Sequence, residues 1–227
     1  MGFGGRGSFK GAVSGPLPQP DYIYAGGGTL QKVRKILKSD MTTVLDSADY
    51  GSYILALTQD ENYIYAAGGA TQKVRKILKS DMSTVLDGAA YGGTIHAIAA
   101  DTNYVYIAGA TTRKVRKILK SDMTTVLDSV SYGAPIYALT QDENYIYAAG
   151  STTNKVRKIL KSDMTTVLDS ADYGSTIYAL TSDTDYIYAG GGTLNKVVRK
   201  ILKSDMTTVL DSADYGGTIY ALNLRSG

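Results

Sequence analysis

Apolar and polar residues alternate in short runs along the chain, and the runs return in a fixed order. Tyr22–Ala25 (YIYA) alternates aromatic and aliphatic side chains and leads into glycines, which predicts a short strand and a turn. Lys32–Lys38 (KVRKILK) places Val33, Ile36 and Leu37 where either a strand or one helical face would put them. The shortness of the run favours a strand, because a stable helix needs more length. Ser39 and Asp40 supply turn chemistry. Thr42–Asp46 (TTVLD) is β-branched and strand-like. Tyr50-Gly51-Ser52 interrupts the pattern, Tyr53–Thr58 (YILALT) makes a fourth short strand, and Gln59–Asn62 turns into Tyr63. There the series restarts.

Tyr-Ile-Tyr begins at Tyr22, Tyr63, Tyr145 and Tyr186, and Tyr-Val-Tyr at Tyr104, a step of 41 residues each time. Four short strands in about 40 residues is the pattern of a β-propeller blade. The expected fold is therefore all-β: a five-bladed β-propeller over residues 21–227, with four antiparallel strands per blade. Residues 1–20, rich in glycine and proline, read as a flexible leader. The blade wording resembles that of quinoprotein-like (PQQ-type) propellers. The matching pieces are Thr176–Asp183, Asp185–Gly192, Lys196–Asp205 and Thr207–Gly216, and the likeness extends over residues 21–223. That family's outer-strand tryptophan has no counterpart, since the chain has no Trp; Leu45, Leu86, Leu127, Leu168 and Leu210 stand near its place. The resemblance implies the blade rather than quinoprotein chemistry. Five blades are fewer than those enzymes usually have, and no tryptophan is present to stack on a cofactor.

With the strands of a blade named A (inner) to D (outer), the chain opens on a B strand near Tyr22 and ends on an A strand, Thr218–Asn223. The expectation is that this C-terminal strand joins the N-terminal blade and closes the ring, which would leave only short, protected edges. Small Ala56, Ala97, Ala138, Ala179 and Ala221 on the A strands suit crowding at the axis. The fifth repeat reads KVVRK where the others read KVRK, so a bulge is expected near Val197–Val198.

Charge and composition narrow the functions. The net charge is +3, from 24 basic and 21 acidic residues, which gives no footing for a nucleic-acid partner. The basic run Lys32, Arg34, Lys35, Lys38 recurs in every blade and is expected to pair with Asp46 and its equivalents on the D strand. No apolar run is long enough to span a membrane, and no signal peptide is evident in the leader, so localisation stays open. There is no Cys and one histidine, His96, standing where other blades have Tyr137, Tyr178 and Tyr220. No catalytic residues, metal site or cofactor is therefore expected. Gly26-Gly27-Gly28 lacks the helix and companion residues of a phosphate fingerprint and reads as a tight connection.

The candidate binding site is positional. D–A and B–C connections emerge on one face of a propeller. They bring together Tyr50, Tyr91, Tyr132, Tyr173 and Tyr215, the neighbouring Asp49, Asp172 and Asp214, and the tips Gln31, Gln72, Arg113, Asn154 and Asn195. Aromatic rings beside carboxylates and amides suit carbohydrate, and five weak sites would gain by multivalency. The alternative reading makes the tyrosines fillers between blades. The expected function is a non-enzymatic multivalent binding module, lectin-like or a receptor-binding head. The runner-up is a structural or protein-interaction propeller, of natural recent duplication or engineered, without a small-molecule ligand. A monomer is expected, with domain swapping as its characteristic failure. On the opposite face Asp60-Glu61-Asn62 and its equivalents read as hairpin turns.

Overall fold

The computed structural model describes residues 21–224 apart from 43, 84, 193 and 195, so the leader and Asn195 lie outside the described residues. The described residues form 19 short strands in five antiparallel meanders. The first sheet has three strands: β1 (Tyr22–Gly26), β2 (Val33–Leu37) and β3 (Val44–Asp46). The next four have four strands each. The second holds β4 (Ile54–Gln59), β5 (Tyr63–Gly68), β6 (Arg75–Leu78) and β7 (Val85–Asp87). The third holds β8 (Ile95–Ala100), β9 (Tyr104–Gly109), β10 (Val115–Leu119) and β11 (Val126–Asp128). The fourth is β12 (Ile136–Gln141), β13 (Tyr145–Gly150), β14 (Val156–Leu160) and β15 (Val167–Asp169). The fifth is β16 (Ile177–Ser182), β17 (Tyr186–Gly191), β18 (Val198–Leu202) and β19 (Val209–Asp211). The ambiguous KVRKILK run is a strand each time. Inner strands β4, β8, β12 and β16 lie side by side in succession, as propeller blades require.

Each blade packs on the next through one repeated seam. Tyr65, Val74 and Tyr91 of the second blade meet Ile95, Val105, Ile118 and Met123 of the third. Tyr106, Val115 and Tyr132 of the third meet Ile136, Ile146, Ile159 and Met164 of the fourth, and the other two seams repeat the set. Each large apolar side chain taken out of water contributes roughly 1.5–3 kcal/mol. The seam explains why the middle strand of a blade, such as β5, is buried along both faces although its sequence alternates. The methionines enter these seams from the C–D turn in the left-handed region, at φ 58° for Met82 and 59° for Met123. That conformation is disfavoured for a side chain other than glycine, asparagine or aspartate. Complete burial of Met82, Met123, Met164 and Met206 offsets its cost.

Inner and middle strands shift register once in each four-stranded sheet, between Ile54 and Ala56, Ile95 and Ala97, Ile136 and Ala138, and Ile177 and Ala179. The shifted residue is Leu55, His96, Tyr137 or Tyr178. From His96 to Tyr220 these rings form a ladder, with successive centroids 5.2, 5.5 and 5.3 Å apart. His96 is thus a packing residue, and its partial burial holds its pKa below the ordinary imidazole value.

Two expectations are corrected. No bulge occurs at Val197–Val198: β18 runs in unbroken register against both β17 and β19. The Lys196 carbonyl accepts from Tyr215 N–H as the Asn154 carbonyl does from Tyr173 N–H, so the extra residue is absorbed upstream, in the β17–β18 connection. A loop takes an insertion with little disturbance, whereas one in mid-strand would turn every later side chain over. The second correction concerns ring closure. Among the described residues, 217–224 form no strand and β1 is paired with β2 alone. The C-terminal segment lies on the fifth blade, where Ile219 N–H donates to the Gly191 carbonyl at 3.0 Å. This mirrors the bond that ties Ile54 N–H to the Gly27 carbonyl of the preceding blade. The segment therefore occupies the position of a next inner strand without completing the first blade.

Candidate functional site

The D–A and B–C connections do share a face. Tyr50 N–H donates to the Gln31 carbonyl, Tyr91 N–H to that of Gln72, Tyr132 N–H to that of Arg113 and Tyr173 N–H to that of Asn154, each at 2.7 Å. These bonds hold the four tip residues at φ 51–55°. The tyrosines themselves do not face outward. Tyr50, Tyr91, Tyr132 and Tyr173 are only 1–3% exposed and sit inside the seams. Their hydroxyls donate to the carbonyls of Lys73, Lys114, Lys155 and Val197 on the following blade. Burial, the largest influence, raises the pKa of each. Asp49, Asp172 and Asp214 accept the N–H two residues on, closing turns before Gly51, Gly174 and Gly216. Arg113 reaches toward the Gly133 carbonyl at 3.4 Å. Only Tyr215, 71% exposed, offers its ring to solvent. Four of the tyrosines are thus joined to their tip residues, but those four rings are spent on blade packing.

On the opposite face the hairpin aspartates are tied across the seams. Lys120 Nζ reaches Asp60 Oδ2 at 2.8 Å, Lys161 reaches Asp101 at 3.2 Å, and Lys203 reaches Asp142 at 3.1 Å; each lysine belongs to the blade after its aspartate. Tyr65, Tyr106 and Tyr147 donate their hydroxyls to the same carboxylates at 2.6–2.8 Å. Burial alone would raise the Asp60 pKa. Hydrogen bonds from Lys120, Tyr65 and the Tyr63 N–H outweigh it and hold the group down at about 2. The Tyr65 hydroxyl is pushed upward, first by burial and then by donating to Asp60. The arginines of the basic run are likewise paired with aspartates. Arg116 forms a two-pronged pair with Asp128 at 2.6 and 2.8 Å, set by the ladder register Arg116↔Asp128. Its remaining nitrogen donates to the Ala90 carbonyl of the preceding blade.

Above this ionic layer lie clefts between successive blades. The one between the second and third is lined by Glu61, Asn62, Tyr63, Lys76, Asn103 and Ser121, with a volume of ≈ 580 Å³. Its equivalents measure ≈ 450, 470 and 750 Å³. In each a lysine ammonium stands over a tyrosine ring: Lys76 over Tyr63 at 4.0 Å, Lys117 over Tyr104 at 3.9 Å and Lys158 over Tyr145 at 4.0 Å. Each ammonium also donates to a carbonyl of the next blade, as Lys76 does to Lys120 at 2.9 Å. The rims carry exposed Glu61, Asn62, Thr102, Asn103, Glu143 and Asn144. Sequence reasoning passed over these residues as turn formers. The available signal was the first tyrosine of each Tyr-Ile-Tyr standing immediately after the hairpin. No group of His, Cys, Asp or Glu able to hold a metal occurs among the described residues. No helix among them is long and apolar enough to cross a membrane.

No protein-family model and no curated protein matches the chain. Solved structures do. The computationally designed Ika8 protein superposes with a TM-score of 0.75 at 15% identity, covering 90% of this chain and 63% of its own. U3-55K gives a TM-score of 0.72 at 12% identity, covering 87% and 64%, and the RRP9 WD40 repeats give 0.72 at 12%, covering 87% and 63%. The chain is thus similar in fold to propeller-repeat proteins and spans less than two thirds of their length. Identity this low speaks for architecture alone.

Proposed function

We propose that the chain is a non-enzymatic multivalent binding propeller whose inter-blade clefts on the A–B hairpin face take a polar ligand, with carbohydrate the chemistry that fits best. The observation that carries this reading is the repetition of one cleft. Each copy offers a tyrosine, a lysine ammonium over its ring, and asparagine or glutamate on the rim. Rings with fixed polar groups beside them suit a sugar's apolar face and hydroxyls. Several weak copies on one rigid scaffold would add avidity without new contacts. The rim alternates Glu61, Thr102, Glu143 and Thr184, so the copies would differ in affinity for charged sugars. On this reading the likeness to quinoprotein blades concerns the scaffold alone. The exposed Tyr215 turn remains a lesser candidate for the same chemistry.

The chain has 19 tyrosines and no tryptophan, so its intrinsic fluorescence can follow occupancy. Titration with a panel of neutral and charged oligosaccharides should give a saturable change. The triple substitution Asn62→Ala, Asn103→Ala, Asn144→Ala should abolish it without altering the thermal transition. Absence of any response across the panel would favour the second reading, a protein-interaction propeller, which the similarity to WD40 repeats supports.

A further inference from the structure

The two terminal faces of the arc are the two halves of the seam that the chain makes internally. On the leading face Met41 is 59% exposed, whereas Met82, Met123, Met164 and Met206 are fully buried. Ile23 is 38% exposed against 0–1% for Ile64, Ile146 and Ile187. On the trailing face Tyr215 is 71% exposed against 1–3% for its four equivalents. The ionic partners divide the same way. Asp183 holds the place of Asp60, Asp101 and Asp142, and Lys38 the place of Lys120, Lys161 and Lys203. Yet Lys38 pairs with Asp21 at 2.7 Å and not with Asp183.

Strand count is complementary as well. Among the described residues the first blade has no inner strand, and residues 218–224 follow the fifth blade in the position of one. Glycines mark the vacant edge. A Cβ on Gly68, Gly109, Gly150 or Gly191 would come within 1.9–2.1 Å of a carbonyl oxygen just before the inner strand of its own blade. Gly27 holds the equivalent position in the first blade with nothing within 4 Å. The close approach that requires glycine elsewhere is unfilled there.

We propose that the leading face binds the trailing face of a second copy of this chain, residues 218–224 of one copy adding the missing inner strand to β1 of the other. The contacts follow from the internal seams. Met41 enters a pocket that includes Tyr188 and Tyr215, Lys38 meets Asp183, and Ile219 comes opposite Gly27. Strand addition of this kind takes main-chain hydrogen bonds from the free edge and specificity from the side chains. Head-to-tail contacts of this sort close into rings when the rotation permits. A second copy is favoured over the chain's own tail because Lys38 and Asp183 do not meet in the single chain.

The test uses Met41→Asp and Tyr215→Asp, each exposed in the single chain and so harmless to its folding. The unaltered chain should show a mass that is a multiple of 24.2 kDa in light scattering and dissociates on dilution. Either variant alone should associate roughly a hundredfold more weakly or worse, because every contact would bury an unpaired charge. Mixing the two should give a one-to-one pair that grows no further, because one intact leading face then meets one intact trailing face. Three results would overturn the proposal: a monomer at every concentration, which would leave the chain's own tail or residues 1–20 as the occupant; an oligomer that neither variant weakens; and two variants that fail to pair when mixed.

Discussion

Met123 and Met41 are the same residue in the same turn, at φ 59° and 58°, yet one is fully buried and the other 59% exposed. The difference between an internal seam and a terminal face lies in neighbours and not in local sequence. In the seam the turn, the ion pair and the hydroxyl bond are each completed by the adjacent blade. At the ends the same groups stand ready and are differently partnered or uncovered. Lys79 illustrates the point. Its equivalents Lys120, Lys161 and Lys203 each reach a carboxylate of the preceding blade, whereas Lys79 Nζ donates to the Asp60 carbonyl of its own hairpin, a bond that Lys161 and Lys203 also make, to Asp142 and Asp183. Burial, the first influence, lowers its pKa, with the nearby Asp60 charge acting in the other direction.

This contrast can be broken experimentally. The largest effect is expected from Tyr132→Ala, which empties a seam position 2% exposed and leaves the Lys155 carbonyl without its donor. It should cost about 3–5 kcal/mol in denaturant unfolding. Tyr215→Ala should stay within about 0.5 kcal/mol at concentrations where the chain is single. Comparable losses at both sites would mean that the trailing face is already covered.

Gly150→Ala should come next, at about 1–3 kcal/mol or more, because its Cβ would fall 1.9 Å from the Pro135 carbonyl oxygen. Gly27→Ala meets open space and should be tolerated in the single chain. If assembly occurs through β1, the same substitution should weaken association, and that outcome would sharpen the comparison.

The smallest effect concerns charge. Lys120→Met leaves Asp60 without its cross-seam partner and should cost roughly 1–2 kcal/mol, below the 3–5 of a fully buried pair because Asp60 is partly wet. Lys38→Met should change little. The Asp60 pKa is depressed, so its contribution is fully present above the unfolded carboxylate value near 3.8. It is lost as pH falls through about 2. Unfolding followed from pH 5 to pH 2 should therefore show a shallower loss for Lys120→Met than for the unaltered chain. Parallel curves would place the acid sensitivity elsewhere.

Much of this architecture was legible in the residues. The 41-residue step, the four short apolar runs and the turn-forming Ser-Asp and Asp-Glu-Asn groups are local signals, and, Thr218–Asn223 apart, the runs appear as the strands they announce. The Arg–Asp pairs were legible too, because ladder register follows from the alternation of side chains. Less could be read of the candidate site. Tyr50 has the same composition and spacing whether it faces solvent or a neighbouring blade. The insertion in KVVRK was also ambiguous, since one extra residue can enter a strand or slide back into the preceding loop. Loop entropy favoured the latter.

The sequence alone determined the repeat, the strand identities and the all-β propeller class, because these rest on interactions within about 40 residues. Tertiary structure alone decided which side of each repeat is a seam, that the tyrosines of the D–A turns are consumed by packing, and that the clefts open on the opposite face. It also decided how the ends meet. Five near-identical repeats specify the same interface four times and leave its two halves over. Whether they meet within one chain depends on the curvature accumulated over every blade, a property that no single repeat carries.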